Sequence, residues 1–168
     1  MALDRISPRQ APQWGIRIVE WGILAIVMLI LAGVFGHYAR QVQGQSERAS
    51  ILSTLGALRT ALVLNNVHQS VASKQRSRAN ANTNPFDTLE RLPANYGGIV
   101  HDREVNAVTP GRWVFDPECP CVGYRPMDPE WLEAPPGTQM LWYLVVQEAG
   151  IDQLHPMADY KWQGLDIR

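Results

Sequence analysis

Two features of the sequence place reactive side chains where their surroundings make demands on them. The first is Glu20, near the front of QWGIRIVEWGILAIVMLILAGVFGHYAR, a run otherwise apolar enough for a membrane interior. A charged side chain at a bilayer centre costs roughly 2.5–3.5 kcal/mol on insertion scales, so a carboxylate kept there needs a partner or a task. The second is the pair Cys119 and Cys121 in DPECPCVG. A disulfide between them is possible, but with only Pro120 between the two cysteines it closes a very small ring and demands unusual geometry. Zinc would need two further ligands at matching spacing, and His101 and His155 are scattered, so no metal site is expected. Asp116, Glu118, Asp128, Glu130 and Glu133 gather in DPECP and MDPEWLE without the spacing of a calcium loop, which needs six to eight converging oxygens. They read as exposed turn carboxylates. No nucleophile elbow, phosphate-binding glycine loop or dinucleotide fingerprint is present, so neither catalytic residues nor a cofactor are expected.

Charge narrows the partners further. Fifteen Lys and Arg stand against sixteen Asp and Glu, a net charge of -1, which gives no global attraction to nucleic acid or anionic lipid. Lys74, Arg76 and Arg78 alternate in NNVHQSVASKQRSRANANTNP, but without interleaved aromatics three charges support only weak, salt-sensitive binding. The segment reads as a solvated loop, His68 as a surface residue, and nucleic acid is not an expected partner.

The elements that must position these residues follow from periodicity. Trp21 to Phe35 carries no charge, and with Ile16, Ile18 and Val19 the apolar stretch reaches about 20 residues, enough for a helix to cross roughly 30 Å of hydrocarbon. It is longer than the apolar region of a cleaved secretory signal and lacks a small-residue cleavage site after it. Arg5, Arg9 and Arg17 precede it, favouring an amino end inside and a domain outside, although Arg40 and Arg48 follow. Gly33, Gly36 and Gly44 are points where the stem can bend or melt locally. Beyond Tyr38, Ile51, Leu55, Leu58 and Leu62 recur at helical spacing, widened by Leu52 and Ala61, and predict a helix to about residue 65 whose stripe packs on a sheet. GRWVFD and CVGYRP predict a hairpin, with Trp113 and Phe115 sharing one face and Val122 and Tyr124 another such pair. MLWYLVVQE predicts a central strand, DYKWQGLD a final pairing, and Ile99 and Val100 a further short one. The fold class expected is α+β, a long N-terminal transmembrane helix on a small antiparallel sheet of three or four strands.

A short polar leader, Gly15, an apolar residue and a carboxylate at the fifth position after the glycine, all leading into a span, resemble the prepilin leader of type IV pilins and type II secretion pseudopilins. The resemblance is specific over about the first 65 residues, and NPF…PANYGG…GRWVFD…GYRP is similar, more loosely, to the post-helix part of pilin-like secretion proteins. It implies a pilin-like fold, cleavage between Gly15 and Ile16 by a prepilin peptidase, N-methylation of Ile16, and Glu20 as the filament-assembly glutamate. The implied division is a leader at 1–15, a transmembrane helix at 16–38, its amphipathic continuation at 39–65, a loop connector at 66–96 and an antiparallel β-sheet domain at 97–168. Implied partners are other pilin or pseudopilin subunits, the peptidase, an inner-membrane assembly platform and membrane lipid, with the carboxyl-terminal domain periplasmic. Ile16 where phenylalanine is common, and His37 where a proline is common, point to a minor subunit. The competing expectation is a single-pass anchored protein whose extracytoplasmic domain binds a ligand or partner and never polymerises.

Overall fold

A helix stripe with nothing to cover it is unstable in water, and the carboxyl-terminal half of this chain supplies the cover. The computed structural model describes residues 13–72, 84–148 and 150–167, and the chain divides into two units, Met1–Gln43 and Gly44–Arg168. The helix α1 spans Gln13–Ala72 without a break at Gly33, Gly36 or Gly44. In the first unit its large apolar side chains are exposed, from Ile18 through Val42, and the helix is long and apolar enough to cross a membrane. In the second unit Ile51, Leu55, Leu58 and Leu62 are buried in the main core, as the spacing requires.

The helix passes residue 65, where the sequence predicts a connector. The reason is local. Asn66 donates a side-chain hydrogen bond to the Leu62 carbonyl at 2.9 Å, one turn back, and no proline or glycine intervenes before Ala72. Of the rest of the predicted connector, residues 73–83 lie outside the described residues, and beyond them comes a 3-10 turn, Pro85–Thr88, capped by Asn84, whose Oδ1 accepts from the Phe86 amide. The Asn84 amide nitrogen in turn donates to the Tyr96 hydroxyl at 2.8 Å, tying the turn to the first strand.

Five strands form the main sheet in the order β1-β2-β3-β5-β6: β1 Tyr96–Ile99, β2 Trp113–Asp116, β3 Cys121–Tyr124, β5 Leu141–Glu148 and β6 Ile151–Pro156. A second sheet joins β4 Leu132–Glu133, β7 Lys161–Trp162 and β8 Leu165–Asp166. The segment DYKWQGLD pairs as expected, within the small second sheet, and MLWYLVVQE is an inner strand as expected, held between β3 and β6. The strand count and direction are corrected. The main sheet has five strands, because the segment after Glu148 returns as β6. It is antiparallel except at β1, which runs parallel to β2 with Tyr96 opposite Trp113. Parallel neighbours need a crossover of about a dozen residues, and 100–112 provides it with only a 3-10 turn, Val105–Ala107, so no helical period announces it.

Alternation along the strands builds two cores. Trp113, Phe115, Val122, Tyr124, Leu141 and Tyr143 face the stripe of α1, while Val114, Cys121, Met140 and Trp142 face the other way, under the crossover residues Val105 and Val108. On that second face Trp142 lies across the sheet from Gly123, and a Cβ at Gly123 would stand 2.5 Å from the indole. The ring therefore covers bare backbone at the centre of the sheet, and only glycine allows this approach. The small sheet docks on the helix through Trp162, fully buried, whose Nε1 donates to the Gly44 carbonyl at 2.8 Å.

Burial of tyrosines gives the domain a pH dependence. Burial raises the hydroxyl pKa of Tyr124, reinforced by its hydrogen bond to Glu47, and that of Tyr143, reinforced by Tyr160 and partly offset by Arg59. Tyr160 and Tyr96 are raised by burial as well, in each case partly offset by a hydrogen bond. The folded chain thus keeps protons that the unfolded chain releases near pH 10, so stability is full below about pH 10 and falls as pH rises above it. Tyr124 and Tyr143, almost wholly buried, should each contribute about 1.4 kcal/mol of loss per pH unit there. Urea midpoints followed by tryptophan fluorescence should be flat near neutrality and decline above about pH 10. A flat profile to pH about 12 would contradict this assignment.

Candidate functional site

Gly15 and Ile16 fall in the opening turns of α1, and Glu20 follows about one turn later on an exposed helix. Around it Ile18 and Trp21 are 70% and 71% exposed. At Gly22, Gly33 and Gly36 a Cβ would meet nothing within 4 Å, so this face of the stem is open along its length. The arrangement is an apolar rod carrying one acid near its beginning. Such a surface is satisfied by hydrocarbon or by other helices, and the acid only by a positive or hydrogen-bonding partner. The predicted leader before Gln13, with Arg5 and Arg9, lies outside the described residues, as do Lys74, Arg76 and Arg78.

A second acid on the same helix escaped the sequence reading. Glu47 is 7% exposed, one turn before Ile51 on the buried stripe. Its Oε1 accepts from the Tyr124 hydroxyl at 2.7 Å and from the Met127 amide at 2.9 Å, while Oε2 is buried without a hydrogen-bond partner among the described residues. The signal that would have exposed it is the stripe itself, since stepping back four residues from Ile51 lands on Glu47. A buried carboxylate that accepts one hydrogen bond from the sheet, at Tyr124, and one from the bend just after β3, at Met127, fixes helix to sheet at one register, which apolar packing alone specifies less sharply.

The cysteine pair lies at the end of the β2–β3 hairpin, Cys119 in the turn and Cys121 opening β3. Cys119 and Cys121 are joined as a disulfide, with Cα atoms 5.2 Å apart. Asp116, expected on the surface, is instead 1% exposed. It ends β2 directly opposite Cys121, and its two oxygens accept from the Glu118 and Arg103 amides, each at 2.8 Å. The physical reason is the turn: a short aspartate side chain inside the hairpin satisfies backbone N–H groups that water would otherwise have to reach. The other acids stay nearer the surface. Asp128 caps the 3-10 turn Pro129–Trp131 by accepting from Glu130, Glu133 accepts from the Gly164 amide at 2.9 Å, and Glu118 lies 3.4 Å from His101 in an exposed pair worth little to stability. Glu130 and His68 are exposed, and His155 pairs with Glu148 across the β5–β6 hairpin at 3.6 Å.

The predicted site residues therefore occupy separate places: Gly15, Ile16 and Glu20 at the start of α1, and the cysteines in a turn of the sheet. Searches of this chain against protein-family models, curated proteins and solved structures found no match.

Proposed function

We propose that this chain is a subunit of a type IV pilus or type II secretion pseudopilus, with a structural and assembly role. It is cut after Gly15, N-methylated at Ile16 and assembled through Glu20. In this reading the stem lies in a bacterial inner membrane before assembly, with the sheet domain periplasmic, and passes into a filament of like helices through the assembly platform. The observation that carries the proposal is a single acid at the fifth position after Gly15 on a helix whose apolar surface is exposed throughout its first unit.

Cleavage supplies the missing partner. It creates an α-amino cation at Ile16, and helices stacked with a stagger bring one subunit's cation to the next subunit's Glu20. In an apolar bundle both charges are penalised when alone, so pairing selects one register. The experiment is the mass of the mature chain from cells containing a prepilin peptidase. The expected product begins at Ile16 and carries one added methyl group. A chain that keeps Met1 or Ala2 in those cells would overturn the proposal and leave an anchored protein that does not polymerise.

A further inference from the structure

We propose that the end of the β2–β3 hairpin is a redox-gated site for a thiolate-binding divalent cation, zinc in the first place, held by Cys119, Cys121 and Asp116 once the disulfide is reduced. The site is independent of filament assembly. One donor atom from each of these residues lies within 4.8 Å of the others. In the disulfide the two sulfurs are bonded to each other, about 2 Å apart, and zinc–sulfur bonds of about 2.3 Å set tetrahedral sulfur ligands about 3.8 Å apart, so on reduction the sulfurs must separate by roughly 2 Å while the Asp116 oxygen already stands within reach of both. A zinc site read from sequence lacked further ligands because histidines were the candidates. The hairpin register supplies an aspartate instead, by setting Asp116 against Cys121.

The carboxylate is already aimed. Two backbone amides, from Arg103 and Glu118, hold its two oxygens, and each oxygen keeps a second lone pair. These amides orient the group but leave its charge. Beside a neutral disulfide that charge is tolerated. Beside two thiolates it makes three negative groups packed within a few ångströms, two of them, Asp116 and Cys121, buried, which is unfavourable until a cation joins them. Sulfur ligands favour zinc over calcium or magnesium, and three protein donors leave one tetrahedral position for water or another ligand.

The redox step is ordinary exchange with a dithiol. A thiolate of the dithiol attacks Cys119, the partly exposed sulfur of the pair, and Cys121 leaves as thiolate. The second thiol of the dithiol then displaces Cys119, so the dithiol is oxidised to its disulfide and this chain gains two thiols. Binding of the cation releases the two thiol protons. The turn thus has two closed states, disulfide and metal thiolate.

The test uses the full chain in detergent, reduced with a phosphine that is then removed under argon, and titrated with cobalt(II) as a spectroscopic stand-in. The reduced chain should develop a sulfur-to-cobalt charge-transfer band that saturates at one ion per chain and is bleached by added zinc. The oxidised chain should develop none. Asp116→Asn should weaken cobalt binding at least tenfold, and Cys119→Ser should abolish the band. Near-ultraviolet circular dichroism of the buried tryptophans reports whether each variant is folded. Should Asp116→Asn unfold, Asp116→Glu takes its place, with retained but weaker binding expected. No band in the reduced wild type, an equal band in the oxidised chain, or unchanged affinity in a folded Asp116→Asn chain would overturn the proposal.

Discussion

Alanine at Glu20 is expected to leave the chain inserted and cleaved but to exclude it from filaments, with incorporation reduced at least a hundredfold relative to wild type when the two are co-expressed. The size follows from what the substitution leaves behind. The amine exposed at Ile16 of a neighbouring subunit would enter an apolar bundle with no counter-charge, and stranding one member of a buried pair costs about 3–5 kcal/mol. At about 1.4 kcal/mol per factor of ten, that is a loss of roughly a hundredfold to a few thousandfold. Insertion should not suffer, because removing a charge from an apolar helix makes the helix easier to place in lipid. Glu20→Gln separates charge from shape: it keeps the length and hydrogen-bonding capacity of the side chain, and should fail nearly as badly. The measurement is quantitative mass spectrometry of sheared filaments against the membrane fraction. Equal incorporation of Glu20→Ala and wild type would remove the assembly role, even if cleavage at Gly15 were established.

How far the sequence alone reaches differs between the two halves of the molecule. The long apolar helix and the buried stripe are legible because each rests on a one-dimensional pattern, and Ile51, Leu55, Leu58 and Leu62 are buried where that pattern puts them. The alternation of Trp113 and Phe115 likewise places both in the helix-facing core. What the sequence hides are the features set by pairing between distant segments. The parallel partnership of β1 with β2 depends on a crossover that has no period of its own. The separate small sheet depends on β4, a two-residue strand too short to register as one. The burial of Asp116 is of the same kind: in sequence it is one of several acids in a polar turn, and only the register opposite Cys121 turns it inward. Glu47 is an intermediate case, since its position on the stripe is periodic but its partners, Tyr124 and Met127, are far along the chain.

Glu47 yields the second large expectation, this time in stability. Glu47→Ala removes the acceptor for both the Tyr124 hydroxyl and the Met127 amide and leaves a small void beside them, so one buried and one partly buried donor lose their partner at once. The stranded hydroxyl costs about 1–3 kcal/mol and the partly buried amide, which water can reach, about 1–2 kcal/mol, giving an expected loss of about 2–5 kcal/mol in urea unfolding of the full chain in detergent. Tyr124→Phe removes only the hydroxyl, and the carboxylate keeps the Met127 amide, so the loss should be smaller, about 1.5–3 kcal/mol for a bond to a charged group. Because the two residues share one bond, the double variant should lose less than the sum of the singles, by about 0.5–3 kcal/mol. Glu47→Gln retains an oxygen for both donors and puts its amide nitrogen where Oε2 has no hydrogen-bond partner among the described residues, which exchanges a buried charge for a buried dipole. It should therefore remain within about 1 kcal/mol of wild type, because the lower cost of burying a neutral group offsets the weaker hydrogen bonds. A Glu47→Ala chain as stable as wild type, or additive losses in the double variant, would show that the carboxylate merely occupies space between helix and sheet; a destabilised alanine variant beside a stable glutamine variant would show that its acceptor oxygen, more than its charge, holds the two together.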